Sequence, residues 1–129
     1  MPKFQFSKLV RDKIISQQLE SGAKPHYRKL SDKDHINALL DKIVEETKEI
    51  THAKSEEIAS EIADVQQAID DLVEKYGLSK ADIDQAQKTK TAKNGSFKKG
   101  IFVDWVEVNE NDKWVDYYRN NPDRYPEVD

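Results

Sequence analysis

The sequence predicts an all-α protein, an antiparallel helical bundle of about four helices with a short extended segment towards the C-terminus. Three observations lead there. Two long stretches, about 32–53 and about 56–76, repeat apolar residues every three or four positions, the period of one helix face. Ser31-Asp-Lys-Asp34 and Ser79-Lys-Ala-Asp82 are capping-box patterns with Asp in place of the usual Glu, and each opens a helix. Strand-like composition is concentrated late, in Ile101-Phe-Val-Asp-Trp-Val-Glu-Val.

Taken in order, Met1 to Ser7 alternates weakly through Phe4 and Phe6 and suits a short extended arm. A first helix is expected over 11–21 on Ile14, Ile15 and Leu19, stopped by Gly22 and Pro25. The second helix builds its seam from Ile36, Leu39, Ile43 and Ile50, and Glu46 stands in the slot where that spacing calls for an apolar residue. Ser55 is the expected N-cap of the third helix, with Glu56 and Glu57 at its positive end. Its stripe is Ile58, Ile62, Val65, Ile69, Leu72 and Tyr76, and the small Ala59 and Ala63 would allow close approach. Gly77 ends it. A fourth, weakly apolar helix is expected over 80–93, and Asn94-Gly95-Ser96 breaks it. The remainder, through Trp114, Tyr117, Tyr118 and Tyr125, reads as an irregular aromatic tail. The expected division is 1–108 for the helical domain and 109–129 for a tail that packs on the bundle or on a partner subunit.

The chemistry centres on Glu45-Glu46-Thr-Lys-Glu49 and Glu61-Ile-Ala-Asp64. Glu46 and Glu49 share a helix face, as do Glu61 and Asp64. Glu49 and Glu61 are symmetric about residue 55, and so are Glu46 and Asp64. A chain that turns back near Ser55 therefore brings the four carboxylates level. Such a cluster repels itself unless a cation sits within it, and hard oxygen donors suit Mg²⁺, with Mn²⁺ as a substitute. The bland alternative is that acids on helices are solvated surface. It fits Glu56 and Glu57 but not Glu46, because an unpaired carboxylate in a seam is costly. Glu49-Ile-Thr-His52 is also a Glu-x-x-His, the ligand unit of carboxylate di-iron bundles. The second such unit is missing, since Glu61-x-x-Asp64 holds its place.

Glu46-x-x-Glu49 followed by Glu61-x-x-Asp64 resembles the signature of the all-α nucleoside triphosphate pyrophosphatases, which include MazG-like proteins, dimeric dUTPases and phosphoribosyl-ATP pyrophosphohydrolases. The opening Lys8-Leu-Val-Arg-Asp-Lys-Ile and the late Lys88 … Lys93-Asn-Gly-Ser-Phe97 are similar to the phosphoribosyl-ATP pyrophosphohydrolase-like subgroup. The late segment departs from the pattern, with Asn94-Gly95-Ser96-Phe97 where that subgroup often has Arg-Gly-Gly-Phe. The resemblance spans about residues 5–105. It implies Mg²⁺-dependent cleavage of a nucleotide between its α- and β-phosphates, in a house-cleaning role. Glu46, Glu49, Glu61 and Asp64 would hold the metal, and Glu45 would orient or deprotonate the attacking water. Lys8, Arg11, Lys13, Lys88 and Lys93 are the candidate phosphate contacts, although each lysine taken singly also fits solvated surface. Seam helices with thin flanks bury little alone, and the resemblance implies a homodimer or higher homo-oligomer.

Composition narrows the field further. Hydrophobic and charged residues each make up 36% of the 129 residues, which suits helices with long solvated faces. The formal net charge of −4 gives no basic footprint for nucleic acid. No cysteine is present, so disulfides and thiolate metal sites are excluded. No apolar run is long enough for a membrane span, and a cytoplasmic location is the default expectation. A non-enzymatic helical interaction protein is the competing reading.

Overall fold

The Ser31 hydroxyl accepts the Asp34 N–H at 3.3 Å and starts the longest helix of the chain. The structure, a computed structural model, describes residues 1–129. It is all-α, without strands. The helices are α1 (Lys13–Glu20), α2 (Asp32–His52), α3 (Ile58–Lys75), α4 (Lys80–Asn94) and the short α5 (Trp114–Arg119). At α4 the capping box is complete: Ser79 Oγ accepts the Asp82 N–H at 3.1 Å, and an Asp82 carboxylate oxygen accepts the Ser79 N–H at 2.8 Å. Gly22 and Gly77, with φ of 88° and 72°, follow α1 and α3 in the left-handed conformation that closes a helix and that a side chain resists.

The start of α3 differs from expectation. Ser55 is not its N-cap but the first residue of a 3₁₀ turn, Ser55–Glu57. Glu57 reaches back to accept the Lys54 N–H at 3.2 Å, so the cap is made one turn earlier than the helix itself.

The chain forms two compact units, Met1–Ala92 and Lys93–Asp129. In the first, α2 and α3 pack as an antiparallel pair. An ion pair between Lys75 at the end of α3 and Asp32 at the start of α2 fixes their direction. The core of this pair is thin: Leu39 and Ala68 are its only buried residues, at 3% and 5% exposure. Ile36, Ile43 and Ile50 are half-buried around Leu39, as the seam spacing requires. On α3 the expected stripe holds at Ile58, Val65, Ile69 and Leu72, which are half-buried, while Ile62 and Tyr76 are about half exposed. Ala68, rather than Ala59 or Ala63, is the buried small residue, and Glu61 and Asp64 are half-buried beside it. No helix is long and apolar enough to cross a membrane.

In the second unit the expected irregular tail contains a helix. Trp114, Tyr117 and Tyr118 are spaced for one helical face, and the Asp112 carboxylate accepts the Trp114 N–H at 2.8 Å. Tyr118 and Tyr125 ring centroids lie 5.0 Å apart, and Val115 on the same helix as Tyr118 is buried. Arg119 bonds both Glu127, at 2.8 Å, and Glu110, at 3.4 Å, tying the segments on either side of α5 together. The strand-like Ile101–Val108 has no regular secondary structure and joins no sheet.

With so few buried residues, Leu39→Ala is expected to cost about 3 kcal/mol. Urea unfolding followed by far-UV circular dichroism should show the midpoint falling accordingly, and an unchanged midpoint would contradict the packing described.

Candidate metal centre

Glu46 lies at the middle of the α2 face that meets α3, on the same side as Leu39 and Ile43. Only 14% of its side chain is exposed. Glu61 and Asp64 project from the opposing face of α3 and are half-buried. One carboxylate oxygen from each of the three lies within 4.8 Å of the others. Three hard oxygen donors from two helices could thus hold a metal ion. Burial pushes the Glu61 carboxyl above its ordinary pKa, and the charges of Asp64, Glu46, Glu49 and Glu57 push it further. A group in that state gains from any cation brought between the helices.

The structure brings together three of the four expected ligands. Glu49 is exposed and lies outside the set, about 60° further round α2 from Glu46 at roughly 100° per residue. Its charge is nevertheless felt at Glu61. His52, the histidine of the Glu-x-x-His alternative, is exposed at the end of α2 and takes no part in the cluster.

Cations line the rim. Arg11 donates to Asp64 at 2.7 Å, and Lys8 donates to Glu45 at 3.1 Å. The segment ahead of α1 thus reaches an acid on α3 and another on α2. Lys42, which the sequence analysis did not single out, lies 3.2 Å from both Glu45 and Glu46. It sits one turn before them on α2, a spacing that reads as an ordinary surface pair. Partial desolvation works against its charge, but hydrogen bonds to the two carboxylates outweigh that and raise its pKa. The same balance runs the other way at Glu45: desolvation pushes its pKa up, while Lys8 and Lys42 more than offset this and hold it below the ordinary value. Glu45 is therefore a carboxylate at neutral pH. A small cavity of about 80 Å³ opens beside the cluster, lined by Val10, Arg11, Leu39, Lys42, Glu46 and Asp64 among others.

The other expected phosphate contacts lie apart from these bonds. Lys13 is the first residue of α1 and is exposed. Lys88 lies on an open face of α4 with Asp84 and Thr91, and Lys93 is in its last turn. None of the three pairs with an acid of the cluster.

Comparison with protein-family models, with curated proteins and with solved structures finds no match.

The raised Glu61 pKa sets the sign of its effect on stability. Glu61 favours the folded state when protonated, so its contribution is present below the unperturbed carboxyl pKa and is lost as pH rises through the raised one. Without divalent ions at pH 7, Glu61→Gln is expected to raise Tm. A divalent ion at a hundredfold over its dissociation constant should stabilise the unaltered protein by about 2.7 kcal/mol and leave Glu61→Gln nearly unmoved. Thermal melts in EDTA and in millimolar Mg²⁺ read both, and equal shifts in the two proteins would remove Glu61 from the ligand set.

Proposed function

We propose that the protein is a Mg²⁺-dependent nucleotide pyrophosphohydrolase, splitting a nucleoside triphosphate or related nucleotide between its α- and β-phosphates to release pyrophosphate. One observation carries this reading: Glu46, Glu61 and Asp64 converge between two helices while Lys8, Arg11 and Lys42 stand around them. A polyphosphate with its metal needs both sets, carboxylates for the ion and cations for the phosphate oxygens. The sequence signature over the same acids supports the same chemistry.

The parts divide the work as follows. Glu46, Glu61 and Asp64 would hold Mg²⁺, with Glu49 next along α2 able to join them by a change of side-chain rotamer. When bound, the ion would neutralise phosphate oxygens and sharpen the phosphorus as an electrophile. Glu45 neighbours Glu46 but faces Lys8 and Lys42. Its lowered pKa suits it to orient the attacking water more than to take its proton early. As the water oxygen bonds to phosphorus, the bridging P–O bond breaks, the leaving phosphate group takes the electron pair, and the water's proton passes to Glu45 late in the step. Arg11, with its planar fork of donors, is the best placed residue to meet a phosphate beside the ion. Lys42 holds Glu45 and Glu46 in register and acts through them.

The competing reading, a helical interaction protein without catalysis, draws on the thin core and the many exposed apolar side chains. Pyrophosphate release from a panel of nucleoside triphosphates with Mg²⁺ separates the two, since a folded protein that releases none from any nucleotide supports the second. If the hydrolase reading holds, Asp64→Asn should lower kcat by about a hundredfold or more. Lys42→Met should lower kcat by about tenfold with a smaller change in KM, and Lys42→Arg should restore part of it. Full activity in Asp64→Asn would remove the metal assignment.

A further inference from the structure

The segment Phe97–Val108 has no partner within its own unit. Phe97 is fully exposed, Ile101, Phe102 and Val103 are 79%, 85% and 69% exposed, and Trp105 and Val106 are 65% and 60% exposed. From Ile101 to Val108 no backbone group makes a hydrogen bond within the chain. The stretch is bounded by turns, with the Gly100 N–H bonded to the Phe97 carbonyl and the Asp112 N–H to that of Asn109. Between them the backbone has no regular secondary structure, and drawn out as a strand it would span about 26 Å at the usual rise.

Its side chains alternate. Paired as a strand, Ile101, Val103 and Trp105 would share one face and Phe102, Val106 and Val108 the other, with a single acid, Glu107 or Asp104, on each. A segment apolar on both faces belongs in a buried sheet. Left open, such an edge of β-branched and aromatic residues is an association hazard. The chain contains no strand that could pair with it. The N-terminal segment, with the exposed Phe4 and Phe6, is apolar on one face only, and the segment that matches Phe97–Val108 on both faces is its own copy in a second molecule.

We infer that Phe97–Val108 is a self-association arm, pairing antiparallel with the same segment of a second copy of this chain. The area is sufficient. Phe97, Phe102 and Trp105 bury about 150–250 Å² each when covered. With Ile101, Val103 and Val106 the arm offers on the order of 800 Å², what each partner gives to an interface of standard size. Two-fold pairing satisfies the open backbone of both arms and sets aromatic and β-branched residues across from one another. Registers that place Asp104 opposite itself are disfavoured by like charge. The arm shares no residue with the acidic cluster, so this inference stands or falls independently of the hydrolase reading.

The full chain should sediment at about twice 14.9 kDa at micromolar concentration and dissociate on dilution. Backbone amides of 101–108 should be protected from hydrogen exchange in the dimer and lose protection as it dissociates. The double variant Val103→Lys/Val106→Lys, charged on both faces, should weaken the dimer at least tenfold with helix content unchanged, because neither side chain contributes to a core. The protein lacks cysteine, so Trp105→Cys offers a direct readout: mild oxidation should join two chains, whereas Thr89→Cys on α4 should not cross-link. A monomer at all concentrations overturns the inference. So does a dimer that the double variant leaves intact, or arm protection that persists at monomer mass, which would mean that the arm folds back on its own chain.

Discussion

Everything about the α2–α3 pair is shaped by the repulsion among carboxylates placed in its seam. Helix pairing normally gathers apolar side chains, and here only Leu39 and Ala68 are fully buried, with the rest of the seam half-covered. Beside them, Glu46, Glu61 and Asp64 are brought within reach of a common point, with Glu49 near enough to add its charge. Unrelieved, that arrangement disfavours the folded state. Relief comes from Lys42 on Glu46 and from Arg11 on Asp64. Glu61 has neither, and burial together with the neighbouring acids pushes its carboxyl above the ordinary value. The accounting leaves a surplus of negative charge, and a metal ion could be held there.

The seam and its acids were legible in the sequence because helix geometry is periodic. A fixed angle per residue makes Glu46 conspicuous in an apolar slot, and an antiparallel turn makes positions on either side of Ser55 meet. What could not be read was rotation. A stripe as broad as that of α3 allows several packed faces, and the choice that buries Ala68 turns Ile62 and Tyr76 outward. Small differences in rotation also separate Glu46 from Glu49, which share a face in the sequence and differ in burial in the structure. Lys42 was invisible for another reason: a lysine one turn before a glutamate is the commonest of surface patterns. Only the burial of Glu46 turns that pair into part of a site. The helix α5 was missed although its aromatic residues stand three and four apart, because irregular flanking sequence hid so short a period.

The thin core and the site are two sides of one economy. Polar residues placed in the seam displace apolar ones, so the pair holds less hydrophobic surface than helices of that length can bury. Contacts from outside the pair then matter more. The residues ahead of α1 supply some, with Lys8 reaching α2 and Arg11 reaching α3, so that a few residues bridge both helices. Exposed ion pairs contribute little each. Their value here lies in position, since they close over the one place where the helices repel.

That position gives the bridging cations a second consequence. A carboxylate has a limited number of lone-pair directions, and those that face Arg11 or Lys42 are not free for a metal ion. Binding an ion among Glu46, Glu61 and Asp64 would therefore loosen the hold of Asp64 on Arg11 and of Glu46 on Lys42. It would do so beside the ion, where a phosphate ligand brings its own negative charge. The cations that relieve repulsion in the empty cluster are thus the ones set free to meet an anionic ligand in the filled one, while Lys8 continues to hold Glu45. By linkage, an anion that engages Arg11 would in turn release Asp64 and strengthen ion binding. On the proposed function, cooperation between ion and anion would follow from the shared carboxylates, without requiring movement of the helices.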